Sequence, residues 1–167
     1  MAERVRKDET VIRSLKRLYR TYGYAPFKVS KFEEYDTYVQ NKDFLISDKV
    51  ITFTDTNGKL LAMKPDVTIS IIKNSDDTSG VVQKLYYNEN VYRVSAGAHA
   101  FKEIMQAGLE CIGAIDRYLT CEVIMLAVKS LGAISEQFVL DISHMGYVSG
   151  LMDAAGFTAK EKKAATK

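Results

Sequence analysis

Val11, Ile12, Leu15, Leu18, Tyr19 and Tyr22 recur at intervals of three and four, the period of a single apolar helical stripe. The pattern predicts an amphipathic helix over 9–22, with Asp8 placed to cap its start and Gly23 to end it. The period then changes. Residues 27–32 read as extended, and the runs 50–54 and 59–63 flank Asp55-Thr56-Asn57-Gly58, whose Asn-Gly pair tolerates the positive φ of a hairpin turn. Pro65 suits the first position of a short helix continuing through 66–73, because a proline there forfeits no hydrogen bond.

Further along, 84–88 and 91–95 are rich in Tyr and Val and read as a second strand pair, followed by a mobile loop of small residues over 96–100. The stretch 102–113 fits either period, but Gly108 in mid-helix would cost about 1 kcal/mol, so a strand is expected. An apolar helical face follows over 117–131, then an alternating strand over 137–142 and a last helix from about Tyr147. Strand pairs interrupted by helices, without regular βαβ alternation, imply an α+β fold in which an antiparallel sheet carries helices on one side. Residues 1–157 read as one domain and 158–167, with Lys160-Glu161-Lys162-Lys163, as a flexible solvated tail.

Composition narrows the partners. At 47% apolar and 26% charged residues with two prolines, the chain is that of a folded globule. Its 23 basic and 21 acidic side chains are spread along the sequence and leave a formal charge of +2, so a nucleic-acid partner is not expected. No apolar run approaches the roughly 18 residues of a membrane span, and MAERVRKDET is too polar for a signal peptide; the expected location is the cytoplasm, without membrane contact. Cys111 and Cys121 then read as reduced core thiols.

Candidate chemistry follows from the strand at 102–113. Period two places Gln106, Gly108 and Glu110 on one face: an amide, a gap and a carboxylate. Gln106 both donates and accepts, Glu110 accepts from an ammonium or an imidazole N–H, and Gly108 leaves room for a ligand beside the backbone. If Arg93 shares that side, its guanidinium meets a ligand carboxylate, and Asp66 meets an amino group. Taken singly, each is an ordinary polar residue of a solvated surface; the shared face makes them a candidate site for a small zwitterion. His99 and His144 are the two histidines and have no ligand spacing around them, so no metal is expected. Phosphate-cradling loops and a nucleophile elbow at Ser143-His144 are missing too.

These segments resemble the catalytic domain of the class II aminoacyl-tRNA synthetases, in the form shared by histidyl-tRNA synthetase and its non-synthetase relative, the regulatory subunit of ATP phosphoribosyltransferase. The resemblance spans Leu15 to Gly156. Tyr22-Gly23-Tyr24 through Phe32-Glu33 resembles the first class II motif, a dimer interface in the family, which implies a homodimer. Asp48 to Met63 is similar to the following hairpin, and Lys64-Pro65-Asp66-Val67-Thr68 to the family's Arg-Pro-Glu/Asp-x-Thr. Tyr86-Tyr87 with Val91-Tyr92-Arg93 resembles the second motif, and Gln106-Ala107-Gly108-Leu109-Glu110 its Gln-x-Gly-x-Glu strand. The resemblance implies that Asp66, Thr68, Arg93, Gln106 and Glu110 hold histidine, Asp66 and Thr68 at its amino group and Arg93 at its carboxylate or an ATP α-phosphate.

Departures from the synthetase pattern matter equally. Ser95 stands where the pattern has the adenine-recognising Glu, and Ala100 and Lys102 where it has arginines, which puts ATP activation in doubt. Asp141-Ile142-Ser143-His144-Met145-Gly146-Tyr147 is closer to the regulatory subunit's Gly-His-x-Gly segment than to the synthetase equivalent. The resemblance therefore implies a non-catalytic, histidine-binding subunit that joins a short-form catalytic subunit of ATP phosphoribosyltransferase in the first step of histidine biosynthesis, without cofactor or metal of its own. The alternatives are a histidyl-tRNA synthetase using ATP and Mg, and a dimerisation domain with a vestigial pocket.

Overall fold

The structure is a computed structural model and describes residues 2–39, 50–75, 80–95 and 100–165. Asp48, the loop residues 96–99 with His99, and the tail residues 166–167 lie outside them. The chain divides into a unit over Met1–Glu136 and a smaller one over Gln137–Lys167.

Helix α1, Ala2–Thr21, opens the larger unit. It starts several residues before the apolar stripe, so Asp8 lies inside it and does not cap it; the polar residues ahead of the stripe have good intrinsic helix propensity. Gly23, at φ 81°, ends it as expected. Strand β1, Ala25–Pro26, and β2, Phe32–Glu34, bracket a non-strand stretch where continuous extended chain was expected. Helix α2, Tyr35–Val39, follows. The hairpin forms as its turn demands: β3, Thr52–Thr54, pairs antiparallel with β4, Leu60–Met63. Asp55 Oδ1 accepts from the N–H groups of Asn57 and Lys59, each at 2.8 Å, and Gly58 has φ 81°.

Helix α3, Thr68–Asn74, begins later than Pro65. Next, 84–95 is one strand and not two: β5, Gln83–Val94, pairs antiparallel along its whole length with β6, Phe101–Ile112. Asn88-Glu89-Asn90 reads as a turn locally but is held straight by Ala107, Gln106 and Met105 opposite. Helix α4, Arg117–Ile134, completes the unit, with Asp116 accepting from Leu119 N at 2.7 Å.

The strands make two three-stranded sheets, in the orders β1-β5-β6 and β2-β4-β3; β1 runs parallel to β5 and all other pairs are antiparallel. Helices cover both faces of the larger sheet, not one. Leu15 and Tyr19 of α1 and Leu126 of α4 pack on Tyr86 and Leu109, while Val67 and Ile71, at the start of α3, pack on Val91, Leu85 and Ile112 from the other side. Tyr38, Ala62 and Ile69 form the core of the smaller sheet. Both sheets meet at Lys64, whose N–H donates to Lys31 O and whose carbonyl accepts from Tyr92 N at 2.8 Å. One buried ion pair ties α4 to β5: Lys84 Nζ lies 2.7 Å from Glu122 Oε1 and 5.5 Å from the centre of the Tyr24 ring. Cys121 is exposed on α4 and Cys111 half-buried, so neither is a fully buried core thiol.

In the smaller unit no strand forms over 137–142, where alternation alone suggested one without a neighbouring edge to pair with. Helix α5, Met145–Ala154, starts close to its expected place. The stretch read as a loose tail carries helix α6, Ala159–Ala165, begun by a capping box in which Thr158 N and Oγ1 both donate to Glu161 Oε2. Among the described residues, no helix is long and apolar enough to cross a membrane.

Candidate functional site

Alternation along the β5–β6 hairpin decides which side chains can meet. The register pairs Leu85 with Glu110, Tyr87 with Gly108, Glu89 with Gln106 and Arg93 with Lys102, so Arg93, Gln106 and Glu110 do share one face. Over that face lies the 64–68 segment, pinned by Val67, which is fully buried against Val91.

The segment brings its polar groups onto the sheet. Thr68 Oγ1 donates to Glu110 Oε1 at 2.6 Å, and Asp66 Oδ1 accepts from Thr68 N at 2.8 Å, so Asp66 holds the start of α3 from outside the helix. From the other end of β5, Arg93 Nε donates to Pro65 O at 3.1 Å. Arg93 Nη2 comes within 3.9 Å of Asp66 Oδ2, too far for a hydrogen bond, and among the described residues this buried nitrogen has no acceptor. Four of the five expected residues, Asp66, Thr68, Arg93 and Glu110, are thus linked in one chain of contacts.

Gln106 stands apart from them. It is half-buried on the same face, opposite Glu89, whose carboxylate holds the fully buried Lys64 ammonium at 3.0 Å. No hydrogen bond among the described residues joins Gln106 to the other four. Gly108 differs from expectation more sharply, because a Cβ built on it would come within 2.6 Å of Tyr87 Oη. The space over Gly108 holds a tyrosine ring where the sequence suggested room for a ligand. Tyr87 is therefore a site residue that sequence reasoning missed; the available signal was an aromatic cross-strand neighbour of a strand glycine, a pairing in which the ring covers the bare backbone.

Electrostatics follow from burial and from two acids near one base. Burial pushes the Glu110 carboxyl above its usual range and Asp66 adds to this, while the Thr68 hydrogen bond pulls it back. The Tyr87 hydroxyl is pushed up to about 12, first by burial and then by the negative charges of Glu110 and Asp66. With one guanidinium against two carboxylates, the cluster favours a ligand that brings a cation and a carboxylate together. An ammonium or protonated ring offsets the crowding of the acids, and a carboxylate supplies the missing acceptor for Arg93 Nη2.

A mixed sheet with helices on both faces, a β5–β6 hairpin carrying the arginine and acid, and the 64–68 segment laid across it define a class II aminoacyl-tRNA synthetase-like protein. The family model described as histidyl-tRNA synthetase matches residues 1–167, and the chain belongs to that family. It is 29% identical over 160 residues to an ATP phosphoribosyltransferase regulatory subunit of Oceanobacillus iheyensis, covering 94% of this chain and 39% of that one. It is 26% identical over 166 residues to a histidine–tRNA ligase of Methanocaldococcus jannaschii, covering 97% and 40%. A crystal structure described as an ATP phosphoribosyltransferase regulatory subunit/histidyl-tRNA synthetase from Bacillus halodurans matches with a TM-score of 0.76 at 26% identity, over 97% of this chain and 43% of that one. The chain thus spans well under half the length of these relatives.

Proposed function

We propose that this chain carries the histidine-recognising face of a regulatory subunit of ATP phosphoribosyltransferase, and that it binds the amino acid without transforming it. The observation that carries this reading is the chain of contacts from Glu110 through Thr68 and Asp66 to Arg93, whose buried Nη2 has no acceptor among the described residues. In the bound state Asp66 and Thr68 hold the amino group, Arg93 the carboxylate, Gln106 the polar end of the ligand, and Glu110 closes the pocket. Catalysis belongs to a short-form ATP phosphoribosyltransferase partner, which is consistent with the names of the Oceanobacillus and Bacillus relatives. Ser95 lacks the carboxylate that would recognise adenine, Ala100 carries no cation and Lys102 offers a point charge in place of a guanidinium fork, and this supports a chain that needs neither ATP nor metal. The subunit acts as a homodimer in the cytoplasm, in the first step of histidine biosynthesis.

Calorimetric titration of L-histidine into the wild-type chain and Glu110→Ala tests the site. Loss of a hydrogen bond to a charged group weakens binding by about 1.5–3 kcal/mol, and an unchanged affinity removes Glu110 from the pocket. Copurification with a short catalytic subunit tests the partner. The Methanocaldococcus relative favours a second reading, a histidine-activating synthetase. Histidine-dependent exchange of pyrophosphate into ATP would establish that reading in place of the first.

A further inference from the structure

Helix α1 presents its charge unevenly. Arg13, Lys16, Arg17 and Arg20 are all exposed, and steps of three and four residues put them in one stripe. Like charges at these spacings work against a helix, and from Thr10 to Thr21 there is no acid to relieve them. Among the described residues none of the four has an ion-pair partner. With Thr21 they line a groove of about 480 Å3.

A second hollow adjoins the first, because Arg13 and Lys16 border both. It is a cleft of about 600 Å3 between the middle of α1 and the β5–β6 hairpin, within the range of roughly 300–1,000 Å3 usual for small-ligand sites. Asn88 and Met105 line it from the hairpin, on the face turned away from Gln106 and Glu110. Ile12 and Met105 give it apolar walls, and Asn88 Oδ1 is a buried acceptor that no donor among the described residues satisfies. A turn of the Asn88 side chain toward the cleft would let a ligand N–H supply the donor that this oxygen lacks.

The geometry points to a nucleoside polyphosphate, lying across both hollows on the side of the hairpin opposite the Asp66–Glu110 cluster. Its base sits between Ile12 and Met105 with an N–H on Asn88 Oδ1, and its phosphates run along the arginine stripe, whose guanidinium forks match phosphate oxygens. Asp8 and Glu9 at the far end of the cleft repel phosphate and accept from hydroxyl or amino groups, which sets the direction. A bare polyanion would engage the stripe and leave the apolar walls and Asn88 unused.

Calorimetry on the whole chain in low-salt buffer, with ATP, inorganic tripolyphosphate and adenosine as probes, tests this. ATP is expected to bind more tightly than tripolyphosphate, and adenosine least. Arg17→Glu/Arg20→Glu, both on the solvent side of α1, weakens ATP and tripolyphosphate by roughly tenfold or more, because attraction at an exposed cationic stripe is largely charge. Asn88→Leu weakens ATP alone, and Lys160→Glu/Lys163→Glu, an equal charge reversal at exposed positions of α6, changes neither. The proposal is overturned if ATP does not bind, if ATP and tripolyphosphate bind equally, or if Arg17→Glu/Arg20→Glu retains ATP binding.

Discussion

Glu110 is held in a position where its charge is unwelcome. Its folded carboxyl titrates above the usual range, mainly through burial, so the folded state binds that proton more tightly than the unfolded chain does. The contribution of this proton to stability is complete below the ordinary Glu value of about 4.3 and is lost as pH rises through the folded value. Glu110→Gln keeps an acceptor for Thr68 and removes the charge. Urea midpoints should therefore place Glu110→Gln above wild type at pH 8, with the gap closing as pH falls below the normal carboxylate range; a gap that does not vary with pH would refute the assignment. Gly108 makes a second case. Alanine normally stabilises an extended position relative to glycine by limiting the unfolded chain, but here its methyl meets the Tyr87 ring. Gly108→Ala should destabilise by about 1–3 kcal/mol, the usual cost of overpacking, and Gly108→Ala/Tyr87→Phe should recover little of it in the same denaturation assay, because the ring carbon Cζ, 2.7 Å from the added methyl, is as much in the way as Oη at 2.6 Å.

At the level of elements, legibility tracked whether the deciding interaction was local. The Asn57-Gly58 turn, Gly23 at the end of α1 and the strand at 101–112 all rest on chemistry within a few residues, and all could be read from the sequence or its period. The fusion of 84–88 and 91–95 into β5 could not, since only pairing with the far strand keeps Asn88-Glu89-Asn90 extended. The Thr158–Glu161 box was legible in principle, but the charged run after it reads more readily as solvent-facing tail. Within the site, the common face of Gln106, Gly108 and Glu110 followed from alternation, whereas Arg93 joining it needed the β5–β6 register, and Tyr87 over Gly108 depended on side-chain volume. Glu122 is another such case: it is buried in mid-helix because Lys84 of β5 reaches it. Lys84→Met leaves that carboxylate buried and unpaired, for which about 3 kcal/mol of lost stability is expected, and Lys84→Met/Glu122→Leu should recover most of it; chemical denaturation of the single and double variants settles the point.

For the molecule as a whole, a ligand that binds only the folded state must raise its melting temperature. L-histidine at about a hundred times its dissociation constant should add roughly 2.7 kcal/mol, visible by scanning calorimetry and much reduced in Arg93→Ala; a melting temperature indifferent to histidine would leave the Asp66–Glu110 cluster as a vestige. One further consequence lies in Lys64, whose main-chain bonds to Lys31 and Tyr92 stitch the two sheets together a mere two residues before Asp66. Any slackness in that seam would become slackness in the proposed grip on an amino acid. An occupant clasped by Asp66 and Thr68 from the small sheet's side and by Arg93 and Glu110 from the large one would in turn draw the seam tight, so that filling the pocket stiffens a joint lying outside it.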